Sequence, residues 1–409
     1  MRVLILSQYF WPENFQINEL AETLQEKGVE VEILTGKPNY PKGKFYAGYR
    51  GGGCVEEFHH GLPIHRIPIV ARGNGGLRLG INYFSFVLSG LFFAPWLLRK
   101  RKYDVVFVYA PSPILQAIPA LFVGRVKKCP VLLWVQDLWP ESLSATGYVR
   151  NNLILKIIEW VVRFIYRHCD LLLVQSRGFE APVRKLACQT RVAYHPNSVE
   201  SVFSNPSNIE VPEVEGLGEG FTLLFAGNIG SAQAVDVIIE VAEILKSYED
   251  IHFVVVGDGS RRDEMILSCR RRGLKNVHLP GRFPVEMMPT FMKRASALIV
   301  TLADKPIFSL TVPNKVQAYL AVGKPIIACL NGEGARIVTE AEAGLTAPAE
   351  DAAALAAAII RLYEMDEISR NIMGLNGRRY FETNFDHDRL VDVLITHFES
   401  EVTRKRERK

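Results

Sequence analysis

The residues best suited to chemistry lie in the segment Thr311-Val-Pro-Asn-Lys-Val-Gln-Ala-Tyr-Leu-Ala-Val-Gly-Lys-Pro-Ile-Ile-Ala328. Pro313 suits the opening of a helix, Gly323 its end, and Pro325 the start of the next strand. This spacing puts Asn314 and Lys315 at a helix N-terminus, where unbonded amides and the helix dipole favour an anion. The compact charge of a lysine there suits a diphosphate. Two glycine-bearing turns stand upstream, Phe225-Ala-Gly-Asn-Ile-Gly230 and Val256-Gly-Asp-Gly259, each after an apolar run and before a helical pattern. At Gly227, and at Gly257 and Gly259 around Asp258, the lack of a side chain lets backbone amides approach a phosphate at a helix start. Neither turn completes GxGxxG, so no dinucleotide cofactor is expected. A strand–helix turn of this kind also forms without a ligand, and it is the three elements in series that point to phosphate.

Metal chemistry finds little support. Asp386-His-Asp388 has the form of a DxD pair but lies far along the C-terminal region, where capping a helix before Arg389 is the expected role. No other carboxylate or histidine group has ligand spacing, so neither a metal nor a cofactor is expected. The six cysteines are scattered without a CxxC pair, which offers neither a zinc site nor a disulfide framework. The sequence opens on an apolar strand with no charged leader, and the expectation is a cytoplasmic protein. A formal net charge of +4 is mild and does not by itself suggest nucleic acid as a partner, which usually needs a clustered basic face.

These residues need a scaffold, and the hydrophobic pattern supplies an α/β one. Strands are expected at 3–6, 29–34, 105–109, 131–135 and 171–174, with a helix at 18–27 between the first two. Continuous apolar runs separated by helices indicate a parallel sheet covered on both faces. Across Ser201–Gly220 the composition turns to Ser, Asn, Pro, Glu and Gly, as a linker would. The pattern then restarts: strands at 221–226, 252–256, 277–279, 297–301 and 325–328, helices at 234–245 and 263–272. Two α/β halves predict a ligand cleft near the carboxyl ends of the strands. Residues 352–364 and 389–408 read as helices, the second ending in basic residues through Lys409 that are expected to be solvated or frayed.

One stretch departs from a plain soluble pattern. Leu79–Leu98 carries no charged residue and is followed by Arg99-Lys-Arg-Lys102. The run is long enough to cross a bilayer, but Gly80, Asn82, Ser85, Ser89, Gly90 and Pro95 make it a poor span. A buried helix and a helix lying in the membrane interface stay open beside it. Its apolar residues (Phe84, Phe86, Leu88, Leu91, Phe92, Phe93, Trp96, Leu97) between basic flanks suit an anionic membrane surface, contacted through residues 79–102.

The ordered set of motifs resembles the retaining glycosyltransferases of family 4, over nearly the whole chain. Met1-Arg-Val-Leu-Ile-Leu-Ser-Gln-Tyr-Phe-Trp-Pro-Glu13 matches the family's first strand and loop, and Tyr194-His-Pro-Asn-Ser-Val-Glu200 its PNGVD segment. Gly227, Gly257–Gly259 and Gly281-Arg-Phe283 follow in family order. Trp134-Val-Gln-Asp-Leu-Trp-Pro-Glu-Ser142 and the Pro-Asn-Lys helix resemble a bacterial subgroup of colanic-acid and N-acetyl-fucosaminyl transferases (WcaI/WbuB-like). The resemblance implies a GT-B fold of two Rossmann-like, doubly wound domains with an interdomain cleft. Residues 1–200 would form the acceptor-side domain and 201–384 the donor-binding domain, with helix 385–409 packing back on the first. It also implies sugar transfer from a UDP- or GDP-linked donor with retention and no obligatory metal. The acceptor would be a polyprenyl-diphosphate-linked sugar, in surface polysaccharide synthesis on the inner face of the plasma membrane.

The sequence departs from the family at several site positions. The two family glutamates fall near Leu310 and Ala318, neither acidic, the loop Arg and Lys at Asn228 and Gln233, the first-domain histidine at Gln136, and the first-loop glycine pair at Asn14-Phe15. Lys315 and Arg282 are the expected replacement phosphate contacts, with Asn228, Gln233, Asp258, Phe283, Asn314 and Gln317 completing the donor site. Stabilising the charge that grows on the leaving diphosphate is the main task, and Asp137 or Glu13 is expected to orient the attacking hydroxyl. A helix cap or an ion pair is the competing role for Asp137. Two other functions remain open: a nucleotide-sugar 2-epimerase of the same fold, and a non-catalytic sugar-binding or membrane-associated partner.

Overall fold

The computed structural model describes every residue except 74, 146–148, 150, 205–208 and 409. It divides into two compact units, Met1–Pro196 with Asp388–Lys409, and Asn197–His387. The sequence-based boundaries stood at 200/201 and 384/385. Of the expected linker, residues 205–208 lie outside the described residues, as does Lys409 of the basic tail.

The first unit runs β1 (Arg2–Leu6), α1 (Ile17–Glu26), β2 (Glu30–Gly36), β3 (Val55–His59), β4 (Leu62–Ile67), α2 (Gly76–Leu97), β5 (Val105–Ala110), α3 (Ala117–Lys127), β6 (Val131–Val135), α4 (Glu141–Ala145), α5 (Asn152–His168), β7 (Leu171–Val174), α6 (Glu180–Ala187) and β8 (Arg191–Tyr194). The sheet order is β3-β4-β2-β1-β5-β6-β7-β8, parallel throughout except at the β3–β4 hairpin. From β1 the chain winds outward through β2 and β4, then returns to β5 and winds the other way, so the direction reverses between β1 and β5. β1, β5, β6 and β7 are buried nearly end to end, which is why they read as unbroken apolar runs.

The second unit runs α7 (Ser201–Ser204), β9 (Phe221–Ala226), α8 (Asp236–Ile244), β10 (Ile251–Val256), α9 (Arg262–Arg272), β11 (Val277–Gly281), α10 (Met288–Arg294), β12 (Ala297–Thr301), α11 (Pro306–Ser309), α12 (Asn314–Val322), β13 (Ile326–Cys329), α13 (Glu333–Glu340), β14 (Gly344–Ala347), α14 (Ala352–Glu364) and α15 (Glu367–Asn384). Its six strands lie in the order β11-β10-β9-β12-β13-β14, every pair parallel. Side chains alternate along β9: Leu224 and Ala226 enter a core with Tyr319 and Phe291, Leu223 and Phe225 the core on the other face with Ile238 and Leu355. The winding reverses between β9 and β12.

The last helix, α16 (His387–Glu407), packs in the first unit. It buries Val391, Leu394 and Phe398, and the Phe398 ring meets Phe107 of β5 edge-on at 5.4 Å. The expectation of a solvated or frayed basic tail is corrected in part: the helix continues to Glu407, Lys405 pairs with Asp170 at 2.8 Å and Arg191 pairs with the buried Glu401, while Arg406 and Arg408 are exposed. Asp386 immediately precedes this helix and Asp388 lies in its first turn, within reach of Lys27 at 3.9 Å.

α2 is neither a core helix nor free of the fold. Asn82, Tyr83, Phe86, Val87, Gly90 and Ala94 are buried along one side, while Phe84, Leu88, Phe92 and Trp96 are exposed along the other. Phe86 therefore leaves the expected membrane-facing set.

Candidate functional site

In an open parallel sheet, ligands bind outside the carboxyl ends of the strands where the winding reverses. In the second unit that place is the end of β9 beside β12, and Lys315 points there. Pro313 is the residue before α12, with extended backbone angles, and Gly323 ends the helix in the left-handed region at φ 74°. Asn314 and Lys315 thus occupy the first turn. The ammonium of Lys315 lies 3.6 Å from the Phe225 ring centroid, has no hydrogen-bond partner among the described residues, and is withdrawn from solvent although part of its stem is exposed. Burial holds its pKa down at about 7, from an ordinary 10.5. An unpaired buried ammonium is costly, and an anion arriving at the helix start would relieve that cost.

The glycine turns have geometric work. A Cβ on Gly227 would stand 2.5 Å from Cε of Lys315, so the glycine makes room for the lysine. A Cβ on Gly257 would lie 1.8 Å from the carbonyl oxygen of Gly227, and one on Gly259 2.3 Å from that of Ile229. The amide of Gly227 donates to Val256 at 2.9 Å and that of Gly257 to Gly281 at 2.8 Å. Those two amides are committed to joining the turns and are not open to a ligand.

The remaining expected donor residues fall into groups. Asn228 and Gln233 meet through Nδ2 and Oε1 at 3.1 Å, and the Gln233 carbonyl accepts from the hydroxyl of Thr301 at the end of β12. Asp258 is exposed and accepts from the Gly259 amide at 2.8 Å. Arg282 is exposed beyond the edge strand β11, and Phe283 beside it is anchored on Phe291 at 4.9 Å. Asn314 is exposed. Gln317 is buried, and its Nε2 donates to the Asn197 carbonyl at 2.7 Å, so it fastens α12 to the opening segment of the unit. Sequence reasoning missed Tyr319, whose hydroxyl accepts from the Ala226 amide at 3.0 Å and ties α12 to β9. Its i+4 spacing from Lys315 was the available signal. Leu310 is half-buried and Ala318 buried, in keeping with apolar residues where the family has glutamates.

In the first unit, Glu13 is buried and its Oε1 accepts from the amides of Asn39 and Tyr40, both at 2.7 Å. Burial raises its pKa to about 7 against those bonds. Glu13 therefore holds the loop after β2 in place. Beside that loop, Tyr9 stacks on Phe15 at 5.0 Å and Phe15 meets Tyr40 at 5.2 Å. Asp137, just beyond β6, takes a hydrogen bond from the Ser142 hydroxyl, and burial pushes its carboxyl up.

The expectation that no side chains gather at ligand spacing is corrected in one place. Glu22, His59 and His60 bring their ligand atoms within 4.8 Å of one another at the β3–β4 turn. His60 Nδ1 is 2.9 Å from Glu22, and His59 stacks on Trp11 at 4.1 Å. Thirty-odd residues separate the glutamate from the pair, so only the folded chain shows the group.

Two family models match this chain: "Glycosyl transferase 4-like domain" over residues 14–198 and "Glycosyl transferases group 1" over residues 220–365. Between them they take in most of both units. The chain belongs to this family of glycosyltransferases, of GT-B fold. It is 28% identical over 325 residues to the probable glycosyltransferase WbjE of Pseudomonas aeruginosa, covering 76% of this chain and 80% of that protein. It is 22% identical over 349 residues to the putative colanic acid biosynthesis glycosyl transferase WcaI of Escherichia coli K12, covering 79% and 82%. Among solved structures, HepE of Anabaena in complex with UDP superposes with a TM-score of 0.69 at 12% identity, covering 98% of this chain and 100% of that one. That likeness is one of fold.

Proposed function

We propose that this glycosyltransferase moves a hexose-type sugar from a UDP- or GDP-linked donor to a polyprenyl-diphosphate-linked glycan, with retention, in bacterial surface polysaccharide synthesis. The observation that carries the reading is Lys315, a buried ammonium without an anion partner at a helix start beside the reversal of the second sheet. A donor diphosphate seated there would raise the lysine's proton affinity and keep it charged. As the bond between the anomeric carbon and the diphosphate oxygen breaks, charge grows on that oxygen, and a preorganised cation in a site of low dielectric stabilises it. The acceptor oxygen bonds to the anomeric carbon on the face the diphosphate leaves, and its proton passes to the departing diphosphate. In this scheme Asp137 orients the acceptor hydroxyl, while Glu13 acts through the loop it holds. Arg282, Asn228 and Asn314 are the further donor contacts. The reading draws support from WcaI, whose name places it in colanic acid biosynthesis, and from HepE, solved with UDP.

A thermal-shift panel of UDP- and GDP-sugars tests it. The matching donor at about 100-fold its Kd adds roughly 2.7 kcal/mol to stability. No shift with any nucleotide sugar would contradict the reading.

A further inference from the structure

We propose that the first unit docks on an anionic lipid bilayer through a single face built by α2, α3 and α5. The inference concerns the first unit alone and stands whether or not the donor reading holds. On α2, Leu77, Ile81, Phe84, Leu88, Phe92 and Trp96 are exposed, spaced three or four residues apart along one side. On α5 the exposed set Leu153, Ile157, Trp160 and Phe164 repeats that spacing, with Phe92 at 74% and Trp160 at 68% exposure. α3 lies between them and adds exposed Phe122 and Val126.

The three helices adjoin. A Cβ on Gly90 would stand 2.8 Å from Cβ of Pro119, so the glycine lets α2 lie close on α3. A groove of about 530 Å³ takes its walls from Leu91 of α2, Leu121 and Phe122 of α3, and Phe164 of α5. Arg125, Lys128, Asp170 and Lys405 also line this groove, with Asp170 neutralised by Lys405 at 2.8 Å. Three adjoining helices thus each expose apolar side chains on the same unit, more than the scattered single residues of an ordinary surface.

Charge selects the occupant. α2 and α3 carry no acidic residue, and the one on α5, Glu159, is paired with Arg163 at 2.7 Å. The C-terminal ends of α2 and α3 meet, since Lys127 Nζ donates to the carbonyl of Arg101 at 2.8 Å. Around that junction Arg99, Lys100, Lys102, Arg125 and Lys128 are exposed. A second copy of the chain would bring two such basic borders together, whereas lipid phosphates complement them. The helices lie along the surface and do not cross it. α2 is held by its buried side, where Asn82 accepts from Gln8 at 2.7 Å and donates to the Val70 carbonyl at 2.6 Å. Apolar side chains enter the headgroup boundary, tryptophans sit at its level, and lysines and arginines reach phosphates.

The test is flotation of the full chain with phosphatidylcholine vesicles, with and without phosphatidylglycerol. The wild type is expected to float with the anionic vesicles, less so in high salt. Phe92→Ser/Trp96→Ser/Trp160→Ser changes only exposed side chains. It is expected to abolish flotation while keeping the unfolding temperature and the response to nucleotide. Lys100→Glu/Lys102→Glu/Lys128→Glu is expected to weaken binding to anionic vesicles by about a hundredfold, at roughly fivefold for each basic residue. Absence of flotation in the wild type overturns the proposal, as does flotation that neither variant alters. So does a dimer that the serine variant dissociates in a protein that ignores vesicles.

Discussion

Lys315 and Tyr319 stand one turn apart on α12 and meet the same strand end. The lysine ammonium lies over Phe225, and the tyrosine hydroxyl takes the amide of Ala226. Tyr319 is fully buried, so its hydrogen bond fixes the rotation of α12 and with it the direction of Lys315. Tyr319→Phe removes the acceptor and leaves a buried amide unpaired, which costs about 1–3 kcal/mol. Urea denaturation should show that loss, and an unchanged midpoint would mean the bond contributes nothing.

The depressed pKa of Lys315 gives a stability signature in the unliganded protein. Between the folded pKa of about 7 and the ordinary value, the unfolded chain binds more protons than the folded one. Stability from this group therefore rises as pH is raised through that window, and its full cost is in place below pH 7. Lys315→Met should be more stable than the wild type at neutral pH, by a few kcal/mol on the scale of about 1.4 kcal/mol per pKa unit. The gap should close towards pH 10. Denaturation midpoints of the two proteins that stay parallel across this range would refute a buried, unpaired ammonium.

Glu13 predicts the opposite slope. Its folded pKa, near 7, lies above the ordinary 4.5, so the folded state holds the extra proton between those values. Its contribution is present in full below pH 4.5 and is lost as pH rises towards 7. Glu13→Gln keeps the oxygen that accepts from Asn39 and Tyr40 and removes the buried charge. The variant should be more stable than the wild type at pH 8 by about 3 kcal/mol and nearly equal at pH 4.5. A less stable variant at pH 8 would show that the charge itself holds the loop.

The core strands were legible because burial on both faces leaves an unbroken apolar run. Expected strands at 131–135, 171–174, 221–226 and 297–301 coincide with β6, β7, β9 and β12. The β3–β4 hairpin was not anticipated. β3 is an antiparallel edge strand, and its Val-Glu-Glu-Phe-His sequence, with Glu56 and Phe58 exposed, shows no apolar run. At the site, proline and glycine punctuation located Lys315 on its helix, since caps are local signals. Its packing on Phe225, ninety positions away, and the commitment of Gln317 to Asn197 are long-range contacts without a local signature. The exposed stripe of α5 was present as a helical period, but only the fold sets it beside α2.

Metal dependence offers a further check. The family resemblance implies transfer without an obligatory ion, and the donor contacts proposed here are a lysine, an arginine and a helix start. Turnover should survive EDTA undiminished. Complete loss, restored by magnesium or manganese, would contradict that scheme and draw attention to an ion at the donor.

The most direct test of the central claim is calorimetric titration of the nucleoside diphosphate, UDP or GDP, that stabilises the wild type, repeated on Lys315→Met. With Lys315 as the diphosphate contact, wild-type binding should take up protons near pH 8. The folded variant should bind at least about tenfold more weakly without that uptake, consistent with the 1.5–3 kcal/mol of a charge-assisted hydrogen bond. Turnover should fall further, by about 2–4 kcal/mol in the barrier. Equal affinity and equal proton uptake in wild type and variant would contradict the assignment of Lys315 to the donor.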